Sequence, residues 1–394
     1  MVIRSICSLL LTTIVFWPIQ AQEVASDFAF LRQPQRIESV AEIEYLEELS
    51  SRGVELWAQG IRVESLDGSV IYADHHGDRV FNPASVIKIA TSMAALEKFG
   101  PEHRFETSFY VDGEIDEKGT LEGDLILHSD GDPEMGTTDL NRLARQLLRA
   151  GLRRVTGELL VDGPFTIGNL HRSDRVATHL RRTLRRLGLR VPSEATYRPG
   201  IRGTRMAQRF SEPLREILFY QNAHSSNTIA DRLGTAVGGA KAVEGYLETE
   251  VGIAPQDVTV ERASGLRNNR ITPAGMVVLL RKVVRWLEAH DMSPEDILPI
   301  AGMDPGTLRR RFRARDHRGA VVAKTGTLVA TDEGISTLAG ILYTEEHGPV
   351  LFAIFNTHGP VIQYRRFQDA FVKDLLAEYG GIPLVNASSR RSGN

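Results

Sequence analysis

Cysteine is nearly absent from this sequence, and Cys7 is the only one among 394 residues. A single thiol cannot close a disulfide within the chain or build a cysteine-based zinc site. Because Cys7 also lies in a segment that we expect to be removed, the mature protein is predicted to have no thiol chemistry. This composition suits an oxidising compartment of the cell envelope.

Long hydrophobic runs are also scarce, and the clearest one lies at the N terminus. Arg4 is followed by a mostly apolar stretch over residues 6–19, and Ala21 offers a small residue for cleavage. The stretch is short for a membrane span, and polar Gln22 and Glu23 follow it without a basic cluster. We predict a signal peptide over residues 1–21, export to the periplasm or cell envelope, and no stable membrane anchor. A retained anchor is the alternative.

Charge of one sign is not in large excess. The formal net charge is −3, so no nucleic-acid partner is expected. Two arginine-rich runs, within residues 181–190 and 309–318, are interpreted as solvated faces, with contact to an anionic polymer as the alternative. The length allows two domains, and 42% hydrophobic with 25% charged residues is ordinary for a globular protein.

A helix with defined ends is predicted from Pro83 to about Gly100. Asn82 is a good N-cap, Pro83 suits the first helical position, and Gly100 followed by Pro101 ends the helix. Ser85 and Lys88 then lie three residues apart on one face, where the ammonium nitrogen can reach the hydroxyl. The alternative is an ordinary core helix, since its other residues form an apolar stripe. Both interpretations can hold together, because a rigid buried helix positions a reactive group well.

The pair has a clear chemical use. The partial positive charge of a helix N-terminus, a neighbouring cation and desolvation would each lower the pKa of Lys88. A serine beside a neutral lysine is an activated nucleophile. The spacing therefore predicts Ser85 as the nucleophile and Lys88 as its base.

Two later stretches could complete such a site. Ser225 and Asn227 precede a predicted helix over residues 228–233, and they offer a hydroxyl, an amide donor and a carbonyl acceptor. A plain helix cap is the alternative. Lys324, Thr325, Gly326 and Thr327 end a predicted strand.

Three residues of the second stretch have a use that the sequence itself predicts. Lys324 could hold an anionic group and help to keep Lys88 neutral. Gly326 would let a substrate backbone lie along the strand edge. The amide of Thr327 could form an oxyanion hole with the amide of Ser85.

The region between these elements indicates an α+β architecture. A hairpin is predicted from residues 60–66 and 69–73. Strands at 107–111, 123–127 and 157–161, with a helix over 138–150, indicate a separate small core. The residues at 74–76 and 130–134 are interpreted as turns, so neither a metal nor a cofactor is expected.

At this point the chain resembles the penicillin-interacting serine enzymes, which share S-x-x-K, S-x-N and K-T-G motifs. Within that group it is similar to the D-alanyl-D-alanine carboxypeptidase/endopeptidases of the penicillin-binding protein 4 type, the low-molecular-mass class C proteins. The resemblance extends from about Gly60 to Asn356. It includes Pro83-Ala84-Ser85, Gly123-Asp124-Leu125, Gly131-Asp132-Pro133, Ser264-Gly265-Leu266, Leu298-Pro299 and Leu338-Ala339-Gly340.

The resemblance implies a β-lactamase/transpeptidase-like fold of the α+β class, with an antiparallel sheet flanked by helices. The catalytic domain would comprise residues 22–100 and 206–385, interrupted by an insertion over 101–205, and residues 386–394 would form a disordered tail. The expected partners are peptidoglycan stem peptides ending in D-Ala-D-Ala, and β-lactams as acylating inhibitors. Ser85, Lys88 and Ser225 would be catalytic, while Asn227 and residues 324–327 would bind the substrate.

Two departures from the family pattern stand out. Arg262-Ala263 replaces the usual Asp-Gly before Ser264, and the following loop to Thr272 is one residue short. The insertion is also shorter than the longest versions in the family. We expect a groove open enough for D-alanine removal and also for cleavage of cross-links.

Three other functions remain open from the residues. A serine β-lactamase would need a deacylating Glu four residues before an Asn, but Ser264 and Gly265 stand four before Asn268 and Asn269. An esterase of this fold would not need Lys324 and Thr325 to hold a carboxylate. A non-catalytic wall-binding protein would not need Ser85, Lys88 and Ser225 together.

Overall fold

The computed structural model describes residues 33–168 and 173–383. The predicted signal peptide, Cys7 and the predicted tail lie outside these residues. No helix in the described ranges is both long and apolar enough to cross a membrane.

The helices account for most of the chain between the strands. They are α1 (Val40–Ser51), α2 (Lys88–Phe99), α3 (Thr137–Arg149), α4 (Ser173–Arg186), α5 (Leu214–His224), α6 (Asn227–Val237), α7 (Ala240–Thr249), α8 (Pro273–Glu288) and α9 (Val361–Glu378). Short 3₁₀ turns are formed by Leu56–Ala58, Ala84–Ile87, Pro255–Asp257 and Pro294–Asp296.

The strands form two main sheets and one small ladder. They are β1 (Gln35–Arg36), β2 (Gln59–Ser65), β3 (Val70–His75), β4 (Glu106–Ile115), β5 (Thr120–Ser129), β6 (Arg154–Val155), β7 (Leu159–Asp162), β8 (Ala195–Tyr197), β9 (Thr204–Phe210), β10 (Val258–Thr259), β11 (Arg270–Ile271), β12 (Val321–Leu328), β13 (Ile335–Thr344) and β14 (Gly348–Asn356).

The first sheet has the order β1-β3-β2-β14-β13-β12, and all its pairs are antiparallel except β1 with β3. Helix α8 packs against β2 and β14 on one face, and α9 packs against β13 and α1 on the other. Alternate residues of the central strand β14 supply both cores: Leu351 and Phe355 face α8, whereas Phe352 and Ile354 belong to the other cluster. The expected sheet with flanking helices is confirmed.

The second sheet has the order β8-β7-β5-β4-β9, with β6 also paired to β5. Its β4–β5 and β4–β9 pairs are antiparallel, and its other pairs are parallel. Helices α3 and α4 close a separate core in which Leu143, Leu147 and Leu180 are fully buried. Since β9 continues to Phe210, the expected boundary between residues 205 and 206 falls inside a strand.

Most local predictions in this region are confirmed. The hairpin is β2 and β3, and the predicted helix at 138–150 is α3. The strands predicted at 107–111 and 123–127 are observed as β4 and β5. Each is ten residues long, because both strands extend past the apolar core into an exposed hairpin. The helix expected at 228–233 begins at Asn227 and ends at Val237.

Candidate active site

Ser85 lies in a tight turn that joins the first sheet to α2. The Oδ1 atom of Asn82 accepts a hydrogen bond from the Ala84 amide at 2.9 Å and so fixes the start of this turn, but Asn82 does not cap an α-helix as predicted. The prediction of one continuous α-helix from Pro83 is wrong, because residues 84–87 form a 3₁₀ turn and α2 begins at Lys88. Ala84 has a φ of 48°, a left-handed conformation that is costly for a residue with a Cβ atom.

The unusual turn is held from two sides. The Thr337 hydroxyl donates to the Pro83 carbonyl at 2.8 Å. A Cβ atom on Gly326 would lie 2.7 Å from the same carbonyl oxygen, and one on Gly265 would overlap the Ala84 carbonyl. Gly326 therefore makes room for the chain's own Pro83–Ala84 turn. Its predicted contact with a substrate backbone stays a prediction.

Lys88 is fully buried beneath Ser85. Its Nζ atom donates to Ser85 Oγ at 2.9 Å, to Asn227 Oδ1 at 2.8 Å and to the Ser264 carbonyl. Burial lowers the pKa of Lys88 to about 7, against the opposing charge of Asp231. In its neutral form, the same amine can accept the hydroxyl proton of Ser85.

Lys324 is a second lysine whose side chain is fully buried at the site. Its Nζ atom donates to Ser225 Oγ at 2.9 Å and to the Thr325 carbonyl at 2.6 Å. Burial holds the pKa of Lys324 well below its ordinary value, and the charge of Lys88 lowers it further. The electrostatic influence thus runs from Lys88 to Lys324. The low pKa of Lys88 itself is caused by burial, so the expected help from Lys324 in keeping Lys88 neutral stays a prediction.

Ser225 occupies the sharp turn between α5 and α6. Its φ of 56° and ψ of 42° place it in the left-handed region at the C-terminus of α5. The helix cap that sequence alone would have assigned here is made by Ser226, whose hydroxyl accepts from the Ile229 amide. This leaves Ser225 to contact Lys324 and Asn227 to contact Lys88.

Thr325 and Thr327 lie on the outer edge of the first sheet. The Val321 carbonyl and the Ala323 amide bond to the loop at residues 299–301, away from β13. Because peptide groups alternate in an antiparallel strand, the backbone groups of Thr325 and Thr327 face the same open side. The Thr325 hydroxyl also donates to Thr307 Oγ1 at 2.8 Å.

These residues surround a cavity of about 590 Å³. Of the predicted site residues, Ser85, Ser225, Asn227, Thr325 and Thr327 line it. Lys88 and Lys324 support it from below through the contacts described above. Sequence reasoning missed five further side chains in the lining, namely Thr307, Arg309, Arg310, Arg311 and Arg365.

The missed residues carried little local signal. Thr307 lies in a loop, and its amide bonds to the Ala223 carbonyl at 2.9 Å, a contact between distant parts of the chain. The sequence predicts a solvated face for the arginine-rich run that begins at Arg309. Arg309 and Arg310 are indeed exposed, but the surface that they cover is the wall of the cavity.

The departure from the family pattern at Arg262 also acts on the site. The Arg262 guanidinium donates to Asp231 Oδ2 at 2.8 and 3.0 Å. Asp231 Oδ1 accepts from the Ser264 amide at 3.1 Å, and the Ser264 carbonyl in turn accepts from Lys88. Arg262 therefore balances the carboxylate whose charge raises the pKa of Lys88.

A family of known proteins matches this chain over most of its length. The model of the D-Ala-D-Ala carboxypeptidase 3 (S13) family matches residues 54–175 and 170–373. The chain belongs to this family. The matched residues include α2 and every strand of the first sheet except β1.

Individual relatives are more distant. D-alanyl-D-alanine carboxypeptidase DacB of Haemophilus influenzae is 30% identical over 103 residues, which are 26% of this chain and 21% of that protein. The matched segment thus spans about a fifth of this relative.

Two solved structures share the fold. Penicillin binding protein 4 of H. influenzae, in complex with a β-lactam, is 22% identical and has a TM-score of 0.70, with 82% of this chain and 96% of that chain covered. A predatory peptidoglycan endopeptidase of Bdellovibrio bacteriovorus is 19% identical and has a TM-score of 0.67, with 83% and 94% covered.

The low pKa of Lys88 predicts how acylation depends on pH. Only neutral Lys88 can take the proton of Ser85, and its neutral fraction falls as pH falls through about 7. The rate constant for labelling by a fluorescent penicillin should decrease about tenfold per pH unit on the acid side and level off above pH 8 or so. Lys88→Arg should label far more slowly at every pH, because arginine stays protonated. A flat profile between pH 5 and 9 would contradict the assignment.

The Arg262–Asp231 pair predicts opposite shifts of that profile. In Arg262→Gln the uncompensated Asp231 charge should raise the pKa of Lys88 and move the acid limb upward by roughly half a pH unit or more. Asp231→Asn keeps an acceptor for the Ser264 amide but removes the charge, so it should move the limb downward. Exposed Arg366→Gln serves as the control for a lost positive charge. If the acid limb of the pH–rate profile lay at the same pH in the parent and in the three variants, this electrostatic role would be ruled out.

Proposed function

We propose that this protein is a serine-type D-Ala-D-Ala carboxypeptidase that acts on peptidoglycan stem peptides through an acyl-enzyme on Ser85. The observation that carries the proposal is the 2.9 Å contact between Ser85 Oγ and the buried, low-pKa amine of Lys88 at the floor of an open cavity. Membership of the S13 family supports the substrate class.

Acylation would use both sides of the site. Neutral Lys88 takes the proton of Ser85, and Oγ attacks the carbonyl carbon of the penultimate D-alanine. The negative charge on the carbonyl oxygen would be held by the amides of Ser85 and Thr327. The outward direction of the peptide groups at Thr325 and Thr327 supports this part of the proposal.

Acylation is complete when the terminal residue leaves. The C–N bond breaks, and the amine of the leaving D-alanine receives a proton relayed through Ser225, which contacts Lys324. Lys324 and Thr325 would hold the terminal carboxylate, with the Thr307 hydroxyl beside them. Asn227 would orient the peptide, and water would then hydrolyse the ester on Ser85.

We also propose that the second sheet with α3 and α4 is an insertion domain beside the active site. Its residues Phe165 and Tyr197 face Arg262 and Arg267 across a cavity of about 580 Å³. Such a wall limits what can approach Ser85 from that side. The protein would be exported by the N-terminal signal peptide and would work in the periplasm or cell envelope.

β-Lactams are proposed as acylating inhibitors because their strained amide can occupy the place of the D-Ala-D-Ala bond. The H. influenzae structure that shares this fold contains a β-lactam. A β-lactamase remains the weaker candidate, since positions four residues before Asn268 and Asn269 hold no glutamate. The adduct should therefore hydrolyse slowly.

Cleavage of cross-links is a second candidate activity. The cavity continues past Thr325 to exposed Arg309, Arg310 and Arg365, which leaves space for a leaving group larger than one D-alanine. A solved structure with the same fold is described as a peptidoglycan endopeptidase. Terminal D-alanine removal is proposed as the core activity, because a free peptide tail needs less space.

The two activities are separated by offering the purified protein a monomeric pentapeptide and a cross-linked dimer. Mass spectrometry of the products should find loss of terminal D-alanine from the monomer, together with slower cleavage of the dimer. Ser85→Ala should release neither product above background. Cleavage of the dimer alone would reverse the proposed order, and cleavage of neither by a protein that binds penicillin would point to a sensor.

A further inference from the structure

One wall of the active-site cavity carries an arginine cluster formed by Arg309, Arg310 and Arg365. The first two follow Thr307 in a loop, and the third projects from the N-terminal part of α9. All three side chains are exposed and line the cavity that contains Ser85. The guanidinium of Arg365 also donates to Thr327 Oγ1 at 2.9 Å.

Within residues 33–168 and 173–383, the charge of the cluster is not neutralised, because no carboxylate there forms an ion pair with any of these three arginines. Their neighbour Arg311 differs, because its guanidinium donates to Asp369 Oδ1 at 2.6 Å and is largely buried in that pair. The Thr327 hydroxyl is uncharged, so its bond to Arg365 leaves the positive charge available.

The arginine cluster lies near the residues that are proposed to hold the leaving group of the substrate. Arg309 and Arg310 are two and three residues beyond Thr307, whose hydroxyl is 2.8 Å from that of Thr325. In the proposed function, which this inference extends, Thr325 holds the terminal carboxylate of the leaving residue. Arg309 and Arg310 therefore lie on the leaving side of the scissile bond, and Arg365 lines the same cavity beside Thr327. A single D-alanine carries one carboxylate there, held by Lys324 and Thr325, and it leaves the three guanidinium groups without a partner.

We propose that the arginine cluster binds a second carboxylate on the leaving group. Among leaving groups larger than one D-alanine, the favoured ones would then be those in which the departing amine belongs to an acidic residue or to a second, anionic peptide strand. Guanidinium groups suit this role because their planar fork matches the two oxygens of a carboxylate. The contact adds no chemical step, but it gives a cross-linked acidic peptide an advantage over a neutral one.

The test compares two peptides with the same acyl half, one ending in D-Ala-D-Glu and the other in D-Ala-D-Gln. The two leaving residues have nearly the same shape and differ by one carboxylate. For the parent enzyme, kcat/KM should be about three- to tenfold higher for the D-Glu peptide at low ionic strength. Added salt should reduce that ratio, because the cluster is exposed.

Arginine variants test whether the cluster causes the preference for the D-Glu peptide. In Arg309→Gln/Arg310→Gln the ratio should fall toward one, and Arg365→Gln should lower it further. The matched control Arg313→Gln removes a charge from the same exposed loop outside the cavity lining, and it should keep the parent ratio. Both rates come from one preparation, so any loss of folded enzyme cancels in the ratio.

The outcomes separate this inference from the proposed function. A parent ratio near one, or a ratio unchanged in the double variant, would overturn the role of the cluster while leaving the carboxypeptidase activity in place. If the parent cleaved neither of these peptides nor one ending in D-Ala-D-Ala, the proposed function itself would fail.

Discussion

The burial of Lys88 is the constraint on which the rest of the site depends. A shift of its pKa from 10.5 to about 7, the net result of burial and the opposing charge of Asp231, disfavours the charged form by roughly 5 kcal/mol relative to water. Because the pKa is lower in the folded state, the free energy of unfolding is reduced by this full amount below pH 7. The reduction disappears as pH rises toward 10.5, where the unfolded chain also loses the proton. Three oxygen acceptors from separate parts of the chain offset it when the amine is charged, namely Ser85, Asn227 and the Ser264 carbonyl.

Each of these acceptors is positioned by a different structural device. The left-handed Ala84 turn carries Ser85, and it is held by Thr337 and given room by Gly326. The left-handed residue Ser225 reverses the chain so that Asn227 begins α6 over the lysine. Asp231 fixes the Ser264 peptide by accepting its amide. If any of the three failed, Lys88 would lose one of the oxygen acceptors of its amine.

The elements that sequence patterns could predict are those whose signal is local. The hairpin β2–β3, helix α3 and the stretches around Ser85, Ser225 and Lys324 each contain their own evidence in spacing and residue type. Thr307, Arg365 and the Arg262–Asp231 pair could not be found in this way, because their roles arise from contacts between segments that lie far apart in the chain. The first turn of the Ser85 helix was predicted wrongly for the same reason. Its cap residues favour an α-helix, whereas packing of Pro83 against β12 and β13 imposes a 3₁₀ turn.

The most direct test of this account is to identify the atom that a β-lactam acylates. The purified mature protein would be incubated with benzylpenicillin, and both the intact protein and its proteolytic peptides would be analysed by mass spectrometry. The account predicts one stoichiometric, slowly hydrolysed adduct on the peptide containing Ser85, and its loss in Ser85→Ala. An adduct on a different residue, or equal labelling of Ser85→Ala, would contradict it.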